Sequence, residues 1–273
     1  MIDESKRWPE SFPDRWASEW GKDEHGLWMA FYYQKVRHVM RWIEPGGFMM
    51  GSPEGEAERE SLGADETLHQ VTLSEGFWLG ATTVTQEIWQ AVTGENPSRF
   101  QGEQRPVESV SWEDTQRFMV QLNQEIPGLE LDLPTEAQWE YACRAGTNTP
   151  FFFGENITTE QVNYNGTYPY ADGEKGEYCQ ETVDVMALPC NGWGLYQMHG
   201  NVSEWCQDWF GDYSAEPVID PQGPGTGLSR VFRGGSWIDY GRYCRSAYRL
   251  RNSPGLGYDY LGFRLARGRI GKR

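Results

Sequence analysis

The chain has little of what most metal and disulfide sites are made from. It contains five cysteines and four histidines among 273 residues, and the cysteines follow neither a CxxC pattern nor a regular spacing. A structural zinc site and a disulfide framework are therefore both disfavoured. The first residues are polar and acidic, unlike a signal peptide, so we expect reduced thiols and a cytoplasmic location.

Basic charge and long apolar runs are also scarce. Lysine and arginine number 24 against 40 acidic residues, for a net charge of −16, so phosphates would be repelled along most of the surface. No apolar run approaches the roughly 20 residues that a membrane span needs. We therefore expect no nucleic-acid partner and no membrane partner. The basic tail Arg267–Arg273 is interpreted as a solvated terminus.

Several enzyme signatures are missing too. The sequence has no G-x-S-x-G motif and no phosphate-binding loop. Its four histidines, His25, His38, His69 and His199, do not lie at metal-ligand spacing.

Tryptophan, glycine and proline are abundant instead, at 13, 32 and 15 residues. Together they predict many turns and short elements held by aromatic packing, rather than long helices. We expect an α+β fold with a small antiparallel sheet, few short helices and much irregular structure.

The N-terminal region differs from the rest. Residues 1–38 carry Trp8, Trp16, Trp20 and Trp28 among charges, and the spacing near Trp16 and Trp20 predicts a short amphipathic helix. We interpret 1–38 as a Trp-rich extension of a main domain at 39–273. The extension either packs on that domain or presents its tryptophans to a partner.

Within the main domain, strands are predicted at Val39–Ile43 and Phe48–Met50 as a pair, and at Val71–Leu79. Three helices have recognisable caps. They begin after Thr85, Ser111 and Thr135, and they end near Gly94, Pro127–Gly128 and Gly146. No helix is predicted after Gly146.

Six ordered motifs then identify a family. They are Phe48-Met-Met-Gly-Ser52, Pro106–Asp114, Leu133–Gly146, Asn191–Trp205, Gly234-Gly-Ser-Trp237 and Leu261-Gly-Phe-Arg264. In these the chain resembles the formylglycine-generating enzyme family, which has a C-type-lectin-like fold. The resemblance covers Trp42 to Arg267 and is more specific for the fold than for the activity.

The resemblance implies two structural calcium sites. Carried over by position, the first comprises Gln197, Gly200, Val202 and Glu204, and the second comprises Asn163, Tyr164, Glu177 and Cys179. Gln197 replaces the usual asparagine, Ser203 the usual tryptophan and Glu177 the usual aspartate. The alternative is that Glu204 and Asn163 only hydrogen-bond loop backbone.

The family's oxidases use two cysteines five residues apart to bind Cu(I), which prefers soft sulfur ligands. Counted from Trp237, the first position holds Asp239 and the second holds Cys244. A carboxylate is a poor Cu(I) ligand, so copper and the oxidation of a sulfatase cysteine are disfavoured. Cys244 is then a small buried hydrophobic residue, or a residual ligand if the oxidase alternative holds.

Tyrosine and small polar residues dominate the loop from Ile238 to Tyr260, as they do antibody paratopes. The loop and its frame are similar to the variable proteins of diversity-generating retroelements, whose randomised asparagine codons cannot yield Trp, Met, Lys, Gln or Glu. None of these five occurs in the loop. Trp237 would form the floor of a ligand-binding surface. The residues predicted to face the ligand are Asp239, Tyr240, Tyr243, Leu250, Asn252, Ser253, Leu256, Tyr258, Asp259 and Tyr260.

The sequence thus favours a non-catalytic binder of a protein or peptide ligand, with the four arginines Arg233, Arg245, Arg249 and Arg264 hydrogen-bonded to loop carbonyls. Two alternatives stay open: a copper- and oxygen-dependent oxidase, and an adaptor that docks through its N-terminal tryptophans. The loop tyrosines could equally pack internally.

Overall fold

The computed structural model describes residues 4–59 and 65–268. The last five residues of the basic tail, 269–273, lie outside this part, and so does the centre of the acidic loop after Met50. The secondary structure comprises β1 (Glu19–Asp23), β2 (Gly26–Tyr33), β3 (Val36–Ile43), β4 (Gly46–Met50), β5 (His69–Leu73), β6 (Phe77–Gly80), α1 (Gln86–Thr93), α2 (Trp112–Glu125), α3 (Glu136–Arg144), β7 (Ser203–Trp209), β8 (Val218–Ile219), β9 (Arg230–Arg233), β10 (Arg249–Asn252), β11 (Leu261–Phe263) and β12 (Ala266–Arg267). Two 3₁₀ turns lie at Glu4–Arg7 and Gly241–Cys244.

The N-terminal residues form part of the main sheet. The order β1-β2-β3-β6-β12 builds a five-stranded antiparallel sheet. The helix predicted near Trp16 and Trp20 is therefore wrong: Trp20 pairs with Met29, and exposure alternates along β1 with the two-residue period of a strand. The predicted domain boundary between residues 38 and 39 falls inside β3.

The four tryptophans of this region have different environments. Trp16 is 3% exposed in the main hydrophobic core, together with residues of β11 such as Phe263. Trp8 and Trp20 are 60% and 52% exposed. The segment thus packs on the domain through one indole and leaves two others on the surface.

The three predicted helices are confirmed, because the residues that cap their starts can be recognised from the neighbouring sequence. Ser111 accepts a hydrogen bond from the Asp114 amide at the start of α2, and the Asp114 carboxylate accepts from Ser111 in return. Thr135 and Gln138 form the predicted box at the start of α3. Within the described residues no α-helix follows Gly146, and none of the described helices is long and apolar enough to span a membrane.

The predicted strands exist, but their pairing differs from the prediction. β3 pairs with β2 and β6, while β4 pairs with β5 in a second sheet ordered β4-β5-β8. The single strand predicted at Val71–Leu79 is interrupted at residues 74–76 and contributes β5 and β6 to different sheets. Alternation within a strand does not show whether the strand pairs with the preceding one, as β3 does with β2, or with one beyond a long loop, as β4 does with β5.

A third sheet, ordered β10-β9-β7-β11, carries the C-terminal loop. β9 pairs antiparallel with both β7 and β10, whereas β11 pairs parallel with β7. Residues 238–260 thus leave the sheet after β9, return to it as β10, and end at β11.

Candidate ligand-binding surface

Four buried arginines form a frame beneath the C-terminal loop. Arg233 is 0% exposed and donates to Glu140 and to the carbonyl oxygens of Ser246 and Tyr248, at 2.8 and 3.0 Å. The predicted bonds to loop carbonyls are therefore present. Sequence reasoning missed the carboxylate of Glu140, whose negative charge offsets the free-energy cost of burying the guanidinium.

The other frame arginines have the same kind of partner. Arg245 makes two hydrogen bonds to Glu66, at 2.8 and 2.9 Å, and Arg249 makes two to Glu136, at 2.6 and 2.8 Å. Each bidentate pair fixes both the distance and the plane of the guanidinium. The frame thus connects the loop to the acidic segment after β4 and to the start of α3.

Two glycines let the loop turn tightly after β9. Gly234 and Gly235 have φ of 102° and 67°, in the region that side chains avoid. A Cβ on Gly235 would lie 2.7 Å from Cys244 Sγ and 2.8 Å from the Tyr243 carbonyl oxygen. Only glycine lets these two parts of the loop approach so closely.

Trp237 lies beneath the surface, as expected for a floor. It is 4% exposed, and its indole nitrogen donates to the Asp259 carbonyl oxygen at 2.9 Å. Its ring meets Phe100 edge-on at 5.1 Å and stacks near Tyr178 at 6.3 Å, both between centroids. Phe100 and Tyr178 come from other loops and were not predicted.

A row of stacked tyrosines lies beside this floor. Tyr240 stacks on Tyr168 at 4.1 Å and faces Tyr243 at 5.8 Å, between ring centroids. Tyr240 is 37% exposed and Tyr168 is 52% exposed. Arg242 lies over Tyr243, 4.6 Å from its centroid. Tyr168 was missed as well, because nothing local in the sequence indicates that its loop meets Tyr240.

A second aromatic pair lies at the end of the loop. Tyr258 and Tyr260 stack with centroids 5.1 Å apart, and Tyr258 is 38% exposed. Asp259 between them forms an ion pair with Arg99. Tyr258 lies at the surface, whereas Tyr260 is half-buried and also packs against the main hydrophobic core.

The remaining predicted residues divide between surface and core. Leu256 is 47% exposed and Ser253 is also exposed. Asn252 is half-buried at the end of β10, and its side chain accepts from the Ser253 amide at 2.8 Å. Leu250 is half-buried on β10 and packs in part against the main core.

The positions of the family's two cysteines hold groups unsuited to Cu(I). Asp239 accepts a hydrogen bond from Ser236 Oγ at 2.6 Å, and burial raises the pKa of its carboxyl. Cys244 is 0% exposed, and burial raises the pKa of its thiol well above the ordinary value. The described residues include no cluster of three or more His, Cys, Asp or Glu side chains suited to a metal ion.

The first predicted calcium set does not fit a cation. Both carboxylate oxygens of Glu204 are taken, by the Arg264 guanidinium at 2.8 and 3.0 Å and by the Trp139 indole at 2.8 Å. Gln197 donates to the Asp184 carbonyl. Gly200 and Val202 are buried beside them. Arg264 already supplies the positive charge that calcium would bring.

The second set fits better. Asn163 is 4% exposed, and its amide nitrogen donates to Glu181 O and to Asn201 Oδ1, while its own Oδ1 is buried without a hydrogen-bond partner. An oxygen left unpaired in this way suits a hard cation. Tyr164 is buried, whereas Glu177 and Cys179 are exposed.

The fold agrees with that of related proteins. A family model described as the sulfatase-modifying factor enzyme 1-like domain matches residues 32–269. The chain belongs to this family. The predicted membership of the formylglycine-generating enzyme family and the predicted α+β class are therefore confirmed.

Relatives of this chain carry names that refer to different activities. The formylglycine-generating enzyme of Mus musculus is 35% identical over 209 residues, which are 73% of this chain and 53% of the mouse protein. The serine/threonine-protein kinase pkn1 of Chlamydia caviae is 31% identical over 260 residues, 84% of this chain and 38% of the kinase. The chain thus spans about half or less of these two relatives.

A solved structure extends the comparison. Treponema denticola variable protein 1 is 30% identical, with a TM-score of 0.72, over 88% of this chain and 98% of that protein. The likeness to variable proteins predicted from the loop is confirmed.

Proposed function

We propose that this chain is a non-catalytic protein that binds a protein or peptide ligand through the tyrosine surface of residues 238–260. The observation that carries the proposal is the placement of exposed, stacked tyrosines on a segment held by a buried arginine–carboxylate frame. A rigid support lowers the entropy lost when the surface binds.

The chemistry of the surface supports a macromolecular ligand. Tyrosine rings offer large contact area with few rotatable bonds, and they predominate among residues that dominate binding energy. Tyr240 and Tyr258 are exposed while their rings already rest on tyrosine neighbours. The similarity to a variable protein over nearly its whole length supports the same interpretation.

The competing function is a copper- and oxygen-dependent oxidase, which the identity to the mouse enzyme favours. Against it stand the carboxylate at Asp239, which is a hard oxygen ligand, and the complete burial of Cys244. One thiol without a second sulfur does not form the two-sulfur site that Cu(I) prefers.

Copper titration separates these two functions. The purified protein and a Cys244→Ser variant are compared for metal content and for Cu(I) affinity. We expect both to bind Cu(I) equally weakly. Tight, stoichiometric uptake by the wild type that disappears in the variant would overturn the binder proposal.

Ligand capture tests the surface directly. Peptides selected from a displayed random library on the wild-type protein are re-measured on Tyr258→Ala and Tyr240→Ala. Tyr32→Ala is a matched control, since Tyr32 is also 38% exposed but lies on β2. We expect at least tenfold weaker binding for the loop variants alone. Equal losses for all three would contradict the proposal.

We further propose that calcium binds at Asn163, with Tyr164, Glu177 and Cys179 nearby in the family pattern. The unpaired Oδ1 of Asn163 supports this site. Calcium should raise the Tm of the wild type and leave that of Asn163→Ala unchanged. A Tm of the wild type that does not respond to calcium would remove the site.

The adaptor alternative rests on fewer residues than the sequence indicated. Trp16 is buried in the core, whereas Trp8 and Trp20 are exposed and Trp28 is half-buried on β2. Deleting everything before Val39 would also remove β1 and β2, so single indole substitutions are the cleaner test.

A further inference from the structure

The cysteines of the chain have different surroundings. Cys143, Cys206 and Cys244 are buried, and burial raises the pKa of each thiol. Cys179 is exposed, but partial burial and the charges of nearby carboxylates raise its pKa as well. Cys190 is half-buried. A partly exposed thiol reacts when a neighbouring group favours its thiolate, so the neighbours of Cys190 determine what it can do.

An imidazole ring lies next to the thiol of Cys190. His25 Nε2 is 3.8 Å from Cys190 Sγ, and Nδ1 of the same ring is 3.2 Å from the Gly192 carbonyl oxygen. Because a carbonyl oxygen can only accept a hydrogen bond, it places the proton of the neutral ring on Nδ1. Nε2 then carries the lone pair, and it faces the thiol as a general base faces a nucleophile.

A tight turn holds Cys190 in place. Cys190 forms an isolated antiparallel bridge with Tyr196. Between them, the side-chain oxygen of Asn191 accepts from the amides of residues 193 and 195, at 3.0 and 3.2 Å. Gly194 has a φ of 72°, and a Cβ there would lie 3.0 Å from the Cβ of His25. The glycine therefore lets the histidine approach this turn.

The histidine comes from the opposite end of the chain, at the turn between β1 and β2. Its amide donates to Asp23 Oδ1 at 2.9 Å. Arg41 of β3 holds the same carboxylate, with Nη1 at 2.7 and 2.8 Å from its two oxygens. The N-terminal strands thus bring a base to a cysteine 165 positions away.

Four other ionisable groups surround the pair of Cys190 and His25. Asp23 and Arg41 neutralise each other, and Glu24 Oε1 lies 4.0 Å from the Nε2 of the histidine. Burial, and then the neighbouring cysteine, raise the pKa of the phenol of Tyr196, so this phenol stays protonated and can donate to a thiolate. Proton transfer from thiol to imidazole would therefore create an imidazolium between two anions that stabilise it.

We propose that Cys190 is a site of thiol–disulfide exchange with low-molecular-weight disulfides, and that His25 is its general base. Nε2 takes the proton of the thiol, and the thiolate attacks one sulfur of the disulfide. A new bond to Sγ forms as the bond between the two sulfurs of the disulfide breaks, and the departing thiolate takes the proton back from His25. Cys190 is oxidised to a mixed disulfide and the departing sulfur is reduced to a thiol.

This site is separate from the tyrosine surface. Neither Cys190 nor His25 belongs to the loop 238–260, and the exchange involves no ligand of that loop. Either proposal can therefore fail without the other.

Site-resolved mass spectrometry tests the proposal on the full chain with 2-hydroxyethyl disulfide, an uncharged probe. The reaction at pH 7 is stopped with acid at intervals, and the modified fraction of each cysteine gives its rate. We expect Cys190 to react about tenfold faster than Cys179 or more, although Cys179 is the more exposed of the two. A rate at Cys190 that does not exceed the rate at Cys179 would overturn the proposal.

Substituting His25 separates the base from the structure around it. His25→Asn keeps an amide donor for the Gly192 carbonyl but has no basic nitrogen. It should slow the reaction of Cys190 about tenfold and leave Cys179 unchanged. Glu24→Gln is the matched control, since it removes only a charge on a side chain that is 83% exposed, and it should slow Cys190 by no more than about twofold.

Two results would contradict the role of His25. An unchanged rate at Cys190 in His25→Asn would show that the imidazole is not the base. An equal fall at Cys190 and Cys179 would show that the substitution acts on the whole fold, because Cys179 lies in another loop and serves as an internal reference.

Discussion

Replacing a buried arginine of the C-terminal segment and replacing an exposed tyrosine of the same segment have different effects on the residues around them. When Arg264 is replaced, the carboxylate of Glu204 loses its cation, and because Glu204 is 1% exposed no water can take that place. Replacing Tyr258 leaves Tyr260 half-buried and still packed against the main core. The first region therefore contributes strongly to stability, whereas the exposed tyrosine contributes little.

The largest effect should follow from breaking a frame pair. Arg264→Met is expected to lower the free energy of unfolding by about 3–5 kcal/mol, because it leaves Glu204 charged, buried and unpaired. Urea unfolding followed by circular dichroism measures this. Arg251→Met is the control, since Arg251 is exposed on β10 and only covers the Phe210 ring.

A second substitution sharpens that prediction. Adding Glu204→Gln to Arg264→Met removes the buried negative charge that has lost its cation, so the double variant should recover part of the lost stability. A double variant that is less stable than Arg264→Met would mean that the frame acts through packing and not through charge.

The frame should also respond to pH at one carboxyl. Burial, with the nearby charge of Glu136, raises the pKa of Asp208 from 3.8 to about 7. Because the folded pKa is the higher one, the contribution of Asp208 is complete below about pH 4 and is lost as pH rises towards 7. The wild type should therefore lose stability relative to Asp208→Asn by about 1.4 kcal/mol per pH unit in this range.

Comparing the two proteins removes the contributions of other groups. Burial lowers the pKa of both His38 and His199 to about 4, which makes stability rise with pH, but equally in both proteins. Thermal or urea unfolding at pH 5, 6, 7 and 8 gives the difference. A stability difference that does not change with pH would show that Asp208 is ionised throughout.

The smallest effect on stability should come from the surface. Tyr258→Ala is expected to change the free energy of unfolding by no more than about 0.5 kcal/mol, since it uncovers no buried polar group. The same urea titration measures it. A loss of stability comparable to that of Arg264→Met would show that the surface tyrosine contributes as much to folding as the frame arginine.

Local features of this fold could be predicted, and long-range partners could not. The caps at Ser111 and Thr135 depend on residues three positions away, so the sequence displays them directly. Strand pairing and the frame's carboxylates depend on segments far along the chain, such as Glu66 opposite Arg245. The segment around Trp16 and Trp20 was mistaken for part of a helix because a spacing of four residues fits both the helical and the strand period.

The candidate site shows the same division. The loop 238–260 was identified by its composition, and its glycines and arginines by their motif. Tyr168, Tyr178 and Phe100 reach the same surface from other loops, and nothing in their own sequence neighbourhoods indicates it. Leu250 was predicted to face the ligand, but it is half-buried on β10 and packs in part against the main core.

The pairing of β10 with β9 and of β11 with β7 makes the segment 253–260 a tether with both ends anchored. For such a tether the entropy of closure grows only with the logarithm of its length, so doubling it would cost about 0.6 kcal/mol. A Cβ at Gly255 would meet no atom within 4 Å, which leaves room for an insertion there. An insertion at this point would therefore lengthen the exposed segment at a small entropic cost, while β10 and β11 keep their pairing in the sheet beneath.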